Sequence, residues 1–245
     1  VFQPASLKGE SPTPIDERIR KKYTFIYLII IILSSIPLAF FESFLIILFW
    51  NEKFYWFFLL FLPINVIISI YILLISAILF SSLSLKVVNL IHLPKEGIFK
   101  RDITDKDYYY WNIRNIIKKW PLFINASNPF PWLKNRFTLR FFGIKIGKNT
   151  ICDNCWISSE FVKIGENVII GMNSTIFSFG IEQDKLILKS IVIEDNVLIG
   201  AKCVLLPGTI VKKGAKISAH SYTNYNSILE ENLIYSGHPA KLKKK

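Results

Sequence analysis

Charge is scarce in this 245-residue chain: only 20% of residues are charged and 51% are hydrophobic, with a mean hydropathy of +0.37. That balance falls short of the charged quarter of an ordinary soluble domain and excludes a plain soluble monomeric enzyme. Cysteine is equally sparse. Three cysteines cannot build a disulfide scaffold. Histidine also occurs three times, too few to expect a multi-histidine zinc centre, and no metal is expected. Acidic residues number 18 against 30 basic ones. The resulting +12 calls for an anionic partner. There is no zinc-finger spacing, no RNA-recognition signature and no basic helix with a heptad tail, so nucleic acid is not expected. Abundant Ile, Leu and Phe exclude disorder.

What is present is grease, and it is concentrated. Residues 23–50 and 54–85 each exceed the roughly 20 apolar residues that cross a bilayer. Trp50, Tyr55 and Trp56 flank the short Asn51–Glu52–Lys53 link as an interfacial aromatic belt would. A cleaved signal peptide is disfavoured by two long stretches without a small-residue cleavage pattern. Residues 86–150 hold 13 basic and 4 acidic residues, the surplus expected of a segment facing anionic lipid. Arg18, Arg20, Lys21 and Lys22 before the first stretch, and Lys86, Lys95, Lys100 and Arg101 after the second, place both ends in the cytoplasm by the positive-inside rule. Residues 1–22 read as a flexible cytoplasmic tail, 23–85 as two transmembrane helices, 86–143 as a basic connector and 144–245 as a separate domain. Glu42, Pro63 and Asn65 interrupt the apolar runs. One resolution ends the first span near Phe41, starts the second after Pro63 and leaves residues 43–62 interfacial. Glu42 then reaches the interface or pairs with a neighbouring subunit. Between Asp105 and Trp120, Tyr109, Ile113, Ile116, Ile117 and Trp120 share one helical face and Arg114, Lys118 and Lys119 another, the pattern of an interfacial amphipathic helix.

Beyond residue 143 a period of six takes over. Its columns are Ile146, Cys152, Ser158, Ile164, Ile170 and Ile176, then Ile193, Ile199, Leu205, Val211, Ile217 and Thr223. Two residues before most of them stands a small or β-branched side chain, such as Thr150, Val168, Ser174, Cys203 or Ala215. A six-residue period fits a hexapeptide-repeat parallel β-helix of four to five coils. Ile176 and Ile193 are out of phase, so residues 178–190 must leave the solenoid as a loop. Leu186, Ile187 and Leu188 on that loop predict an exposed apolar patch and hence a subunit interface. Cys152 and Cys155 form a CxxC pair with zinc or redox readings, weighed here as structural because Cys152 and Cys203 fall on inward columns.

The hexads, the run Val204–Leu205–Leu206–Pro207–Gly208 and the closing Gly237–His238–Pro239–Ala240–Lys241 resemble the left-handed β-helix acyltransferases, particularly the sugar O-acetyltransferase branch. More loosely, Tyr108–Trp111 with Arg114 and the run Leu139–Gly147 resemble the carboxyl-terminal region of poly-lysine-synthetase-type peptide synthetases. The first resemblance implies a left-handed solenoid, a homotrimer and an acyl-CoA co-substrate lying in the groove between subunits. It implies cofactor-binding roles for Gly200, Ala201 and Lys241. It also puts Phe179 where the family carries its proton-accepting His, and Phe accepts no proton. The remaining candidate bases are His220 and His238, with His220 ranked first, while His92 sits at the membrane exit. Two readings stay open: an acyl-CoA-dependent acyltransferase acting on a glycan or lipid-linked precursor, or a catalytically silent trimeric scaffold within a larger membrane complex.

Overall fold

The computed structural model describes residues 21–49, 55–102, 104–126, 128, 130, 133–152, 154–182 and 184–243. Residues 1–20 of the expected tail, the Asn51–Glu52–Lys53 link with Trp50, and Asp153, Pro129 and Pro131 lie outside the described residues. The described residues divide into two compact units, one helical (within 21–91 and 113–126) and one built on a solenoid (within 92–112 and 128–243).

In the helical unit, α1 (Lys21–Phe49) and α2 (Tyr55–Ile91) are each continuous despite Pro37 and Pro63. Residues 43–49 and 55–62 therefore belong to the two long helices. Ser34, Ser76, Ala77, Ser81 and Ser82 are buried together with Tyr23, Ile30, Leu74, Ile78 and Leu85, while Phe25, Ile32, Phe40, Ile47 and Leu60 point outward. Small residues among the buried ones let helices approach closely. Both helices are long and apolar enough to cross a membrane. Glu42 is held within the hairpin itself: Asn65 Nδ2 donates to its two carboxylate oxygens at 3.2 and 3.1 Å, and the Ser69 hydroxyl donates to Oε1.

Helix α3 (Lys106–Ala126) starts in the solenoid unit and ends in the helical one. Asp105 caps it, accepting from the amides of Asp107 and Tyr108. Its later turns pack in the helical unit, where the Ile117 carbonyl accepts from Ser81 Oγ and Trp120 Nε1 donates to Ser34 Oγ. Arg114 and Lys118, assigned to the solvent-facing side of an interfacial helix, are each only 2% exposed. The correction has a physical cause: successive positions one turn apart define a face, but composition does not say which face meets the protein.

In the solenoid unit, two-residue strands alternate with turns around three faces. The first face stacks β2 (Lys145–Ile146), β4 (Val162–Ile164), β9 (Ile191–Ile193), β12 (Ile210–Val211) and β14 (Ile228–Leu229) in parallel. The second stacks β5 (Ile169–Ile170), β10 (Leu198–Ile199), β13 (Lys216–Ile217) and β15 (Ile234–Ser236), with β16 (Lys241–Leu242) returning antiparallel. The third stacks β3 (Trp156–Ile157), β6 (Thr175–Ile176) and β11 (Val204–Leu205), extended by a bridge from Val204 to Tyr222. Every second strand residue points inward, so Ile164, Ile176, Ile193, Leu205 and Val211 stack coil on coil, all buried. One column member is corrected. Ile176 registers with Ile157, not Ser158, because the first coil takes a shorter step to its third face and a longer one, through Phe161 in a left-handed conformation, to the next coil.

The loop predicted at residues 178–190 is a β-hairpin of β7 (Phe179–Glu182) and β8 (Lys185–Leu188), widened to three strands by β1 (Gly97–Lys100). Its apolar residues are not exposed: Leu186, Ile187 and Leu188 are 0%, 8% and 2% accessible. Leu186 and Leu188 form a core with Tyr108 and Trp111 of α3, flanked by Phe99, Phe161, Phe179 and Ile181. The patch offered as a subunit interface is thus consumed inside the chain.

Candidate active site

The turn joining the second and third faces recurs in successive coils as residues 171–174, 200–203, 218–221 and 236–240. Each of the first three passes through a left-handed residue, Asn173, Lys202 and His220. These corners lie directly on one another. A Cβ added at Gly171 would sit 2.4 Å from the Ala201 amide nitrogen, and one at Gly200 2.4 Å from that of Ala219, so only glycine permits this spacing. Lys202 N donates to the Met172 carbonyl and His220 N to the Ala201 carbonyl, each at 2.9 Å.

All the sequence-predicted site residues map to this one edge. Gly200 and Ala201 make the corner of the third coil, and His220 that of the fourth, with its side chain exposed. His238 belongs to the next, where its ring lies 5.7 Å from that of Tyr222. The Ala240 amide donates to the Tyr222 carbonyl at 2.7 Å, and Lys241 then pairs with Ser236 in the returning strand β16. Cys203 lies beneath the edge with its thiol donating to the Ser218 carbonyl at 3.1 Å. Burial pushes that thiol above its ordinary value, with backbone hydrogen bonds opposing. Cys152 and Cys155 are likewise buried, and Cys155 Sγ donates to the Cys152 carbonyl at 3.0 Å. Ser178 is buried and its hydroxyl donates to the Glu160 carbonyl.

His92 is not a loose interfacial side chain. Its Nε2 lies 3.4 Å from Asp107 Oδ1 and its ring stacks on Tyr110 at 4.7 Å.

Other features of the site were not legible in the sequence. Outward from the third face stand Trp156, Thr175, Val204 and Tyr222 in register, one per coil. Phe177 and Phe179 close one end of that row, their rings 4.9 and 6.1 Å from Trp156. At the hairpin's base, Tyr225 hydrogen-bonds Glu182 and its hydroxyl occupies the space a Cβ at Gly180 would need. Burial first, then the charge and hydrogen bond of Glu182, push this phenol up to about 12.

Comparison with known proteins agrees with the ladder of hexads. Residues 161–182 and 190–222 match the profile of the hexapeptide repeat of succinyl-transferase, interrupted where the hairpin leaves. Over these residues the solenoid is similar to the hexapeptide-repeat acyltransferases. YvoF of Bacillus subtilis (strain 168), provisionally an acetyltransferase by its name, is 28% identical over 123 residues, 49% of this chain and 70% of YvoF. Among solved structures, the hexapeptide-repeat acetyltransferase VCA0836 of Vibrio cholerae aligns with 19% identity and a TM-score of 0.46 over 52% of this chain and 87% of its own. A galactoside acetyltransferase in complex with coenzyme A aligns with 19% identity and a TM-score of 0.42 over 52% and 78%. The hexapeptide match does not extend to Tyr108–Gly147.

Proposed function

We propose that this protein is a membrane-anchored, acyl-CoA-dependent acyltransferase that acetylates a hydroxyl of a glycan or lipid-linked precursor. The observation that carries this reading is the shared edge between the second and third faces. There Gly171, Gly200, Ala201 and Ala219 present little beyond backbone, and His220, His238, Lys202 and Lys241 are exposed along it. An elongated thioester fits against such a flush edge, and the two lysines suit its phosphates. His220 takes the proton of the acceptor hydroxyl as that oxygen forms a bond to the thioester carbonyl carbon. The C–S bond then breaks, and the imidazolium returns the proton to the leaving thiolate.

The assembly that fits is a homotrimer. Ile151, Ile169, Leu198 and Ile234 form an exposed aliphatic stripe along the second face, interrupted by Lys216, and such a stripe is suited to a second copy of the chain. The apolar exterior of α1 and α2 supports two transmembrane spans with the solenoid on the cytoplasmic side, and the basic residues after α2 favour anionic lipid.

Phe179 favours a second reading, a silent trimeric scaffold in a larger membrane complex. The two are separated by incubating the full chain, reconstituted in lipid, with radiolabelled acetyl-CoA and saccharide acceptors. Label on the acceptor supports the enzyme. Binding of acetyl-CoA without transfer across acceptors and acyl thioesters supports the scaffold.

A further inference from the structure

Trp156 projects outward from β3 and is 48% exposed, an unusual setting for the largest side chain. It is not loose. Phe177 packs on it at 4.9 Å and Phe179 at 6.1 Å, the two phenylalanines lie 5.7 Å apart, and Trp111 backs Phe179 at 5.4 Å. Trp111 is itself buried in the hairpin core with Leu186 and Leu188. A rigid aromatic platform therefore faces outward at one end of the third face.

The next two coils carry short side chains, Thr175 and Val204, and the fourth carries Tyr222 beside His238. Three strand spacings of ~4.8 Å separate the Trp156 and Tyr222 positions by about 14 Å. The face is thus a low floor between two aromatic ends, with the hydroxyls of Thr175 and Tyr222 along it.

We propose that this floor binds a glycan chain, one pyranose stacked by its C–H face on Trp156 and the chain running along the floor toward Tyr222 and His238. The proposal rests on the acyl-transfer reading for the identity of the glycan as acceptor. Ring C–H groups are slightly positive and apolar, and the negative face of an indole attracts them. A flat ring edged with hydroxyls matches one exposed aromatic flanked by polar groups. A second copy of the chain is better matched by the aliphatic stripe on the second face. In this light Phe179 has exchanged proton chemistry for recognition: it holds the platform at one end, while the histidines lie at the other.

The test uses the full chain in lipid nanodiscs free of glycolipid and of glycoside detergent. Saturation-transfer NMR is recorded with methyl glycosides of N-acetylglucosamine, galactose and mannose, alongside acetyl-CoA titration and native mass spectrometry. At least one glycoside is expected to bind, with saturation strongest on the ring protons of one face. Trp156→Ala should weaken that binding about 5- to 10-fold, from the loss of one aromatic stack, and Trp156→Phe should restore part of it. Acetyl-CoA affinity and subunit number should not change. Acetyl-CoA binding without any glycoside binding overturns this assignment and leaves the acyltransferase reading standing. Glycoside binding unaffected by Trp156→Ala places the sugar elsewhere. Dissociation of the oligomer by Trp156→Ala makes the face a subunit contact and overturns the proposal as well.

Discussion

Replacing His220 tests the proposed base, and the structure dictates which replacement to use. His220 has a φ of 59°, in the left-handed region. Alanine there would carry roughly 1 kcal/mol of backbone strain, confusing a catalytic loss with a folding one. Asparagine would not: six of the nine described non-glycine residues with positive φ are Asn, at equivalent corners of the same solenoid. The backbone bond from residue 220 N to the Ala201 carbonyl survives either change. His220→Asn is therefore expected to leave stability within about 0.5 kcal/mol of the parent. Loss of general-base assistance should lower turnover by about 10² to 10⁴, or roughly 2.7 to 5.4 kcal/mol of barrier. Release of the coenzyme A thiol can be followed with a chromogenic thiol reagent, because all three of the protein's cysteines are buried. An Asn variant that folds and turns over like the parent would refute His220 as the base, and His238→Asn would be the next substitution.

Three further outcomes follow from the same geometry. Ile176→Ala removes a fully buried side chain stacked between Ile157 and Leu205, and should cost about 2 to 5 kcal/mol in denaturant unfolding of the solenoid. For Tyr225, the folded phenol near 12 lies above the ordinary value of about 10. Its contribution to stability is therefore complete below pH ~10 and is lost as pH rises toward 12, so the parent should lose stability across that window more steeply than Tyr225→Phe. Leu198→Glu places a charge in the aliphatic stripe of the second face and should shift the oligomer toward monomer by native mass spectrometry, with the single-chain fold retained.

The inward columns were legible because each coil obeys the same local rule, an aliphatic residue inward at every sixth position, whatever surrounds it. The out-of-phase step before Ile193 announced an excursion for the same reason. Its burial was not legible, since the residues that cover Leu186 and Leu188 come from β1 and the start of α3, about 80 residues earlier. The shift from Ser158 to Ile157 was hidden because both neighbours are buried and a hexad count cannot see Phe161 turn left-handed. Arg114 and Lys118 misled through their charge, which reads as surface until the neighbouring helices are in place. Glu42 found its partners on the adjacent helix, at Asn65 and Ser69, a pairing that depends on hairpin register. The site was legible in part. Gly200, Ala201, His220, His238 and Lys241, chosen from motifs tens of residues apart, fall on one edge because the repeat brings every third hexad to the same corner. The aromatic row of Trp156, Phe177 and Phe179 was missed, because only the outward registration of β3 against β6 brings it together.

Calorimetric titration of the full chain in lipid nanodiscs with acetyl-CoA tests the account most directly. Saturable binding at one site per chain, competed by coenzyme A and weakened when Lys202 is changed to Asn, which suits its left-handed backbone, and Lys241 to Ala, is the predicted result. Absence of any binding heat at millimolar acetyl-CoA, in a protein that keeps its solenoid by circular dichroism, would contradict it.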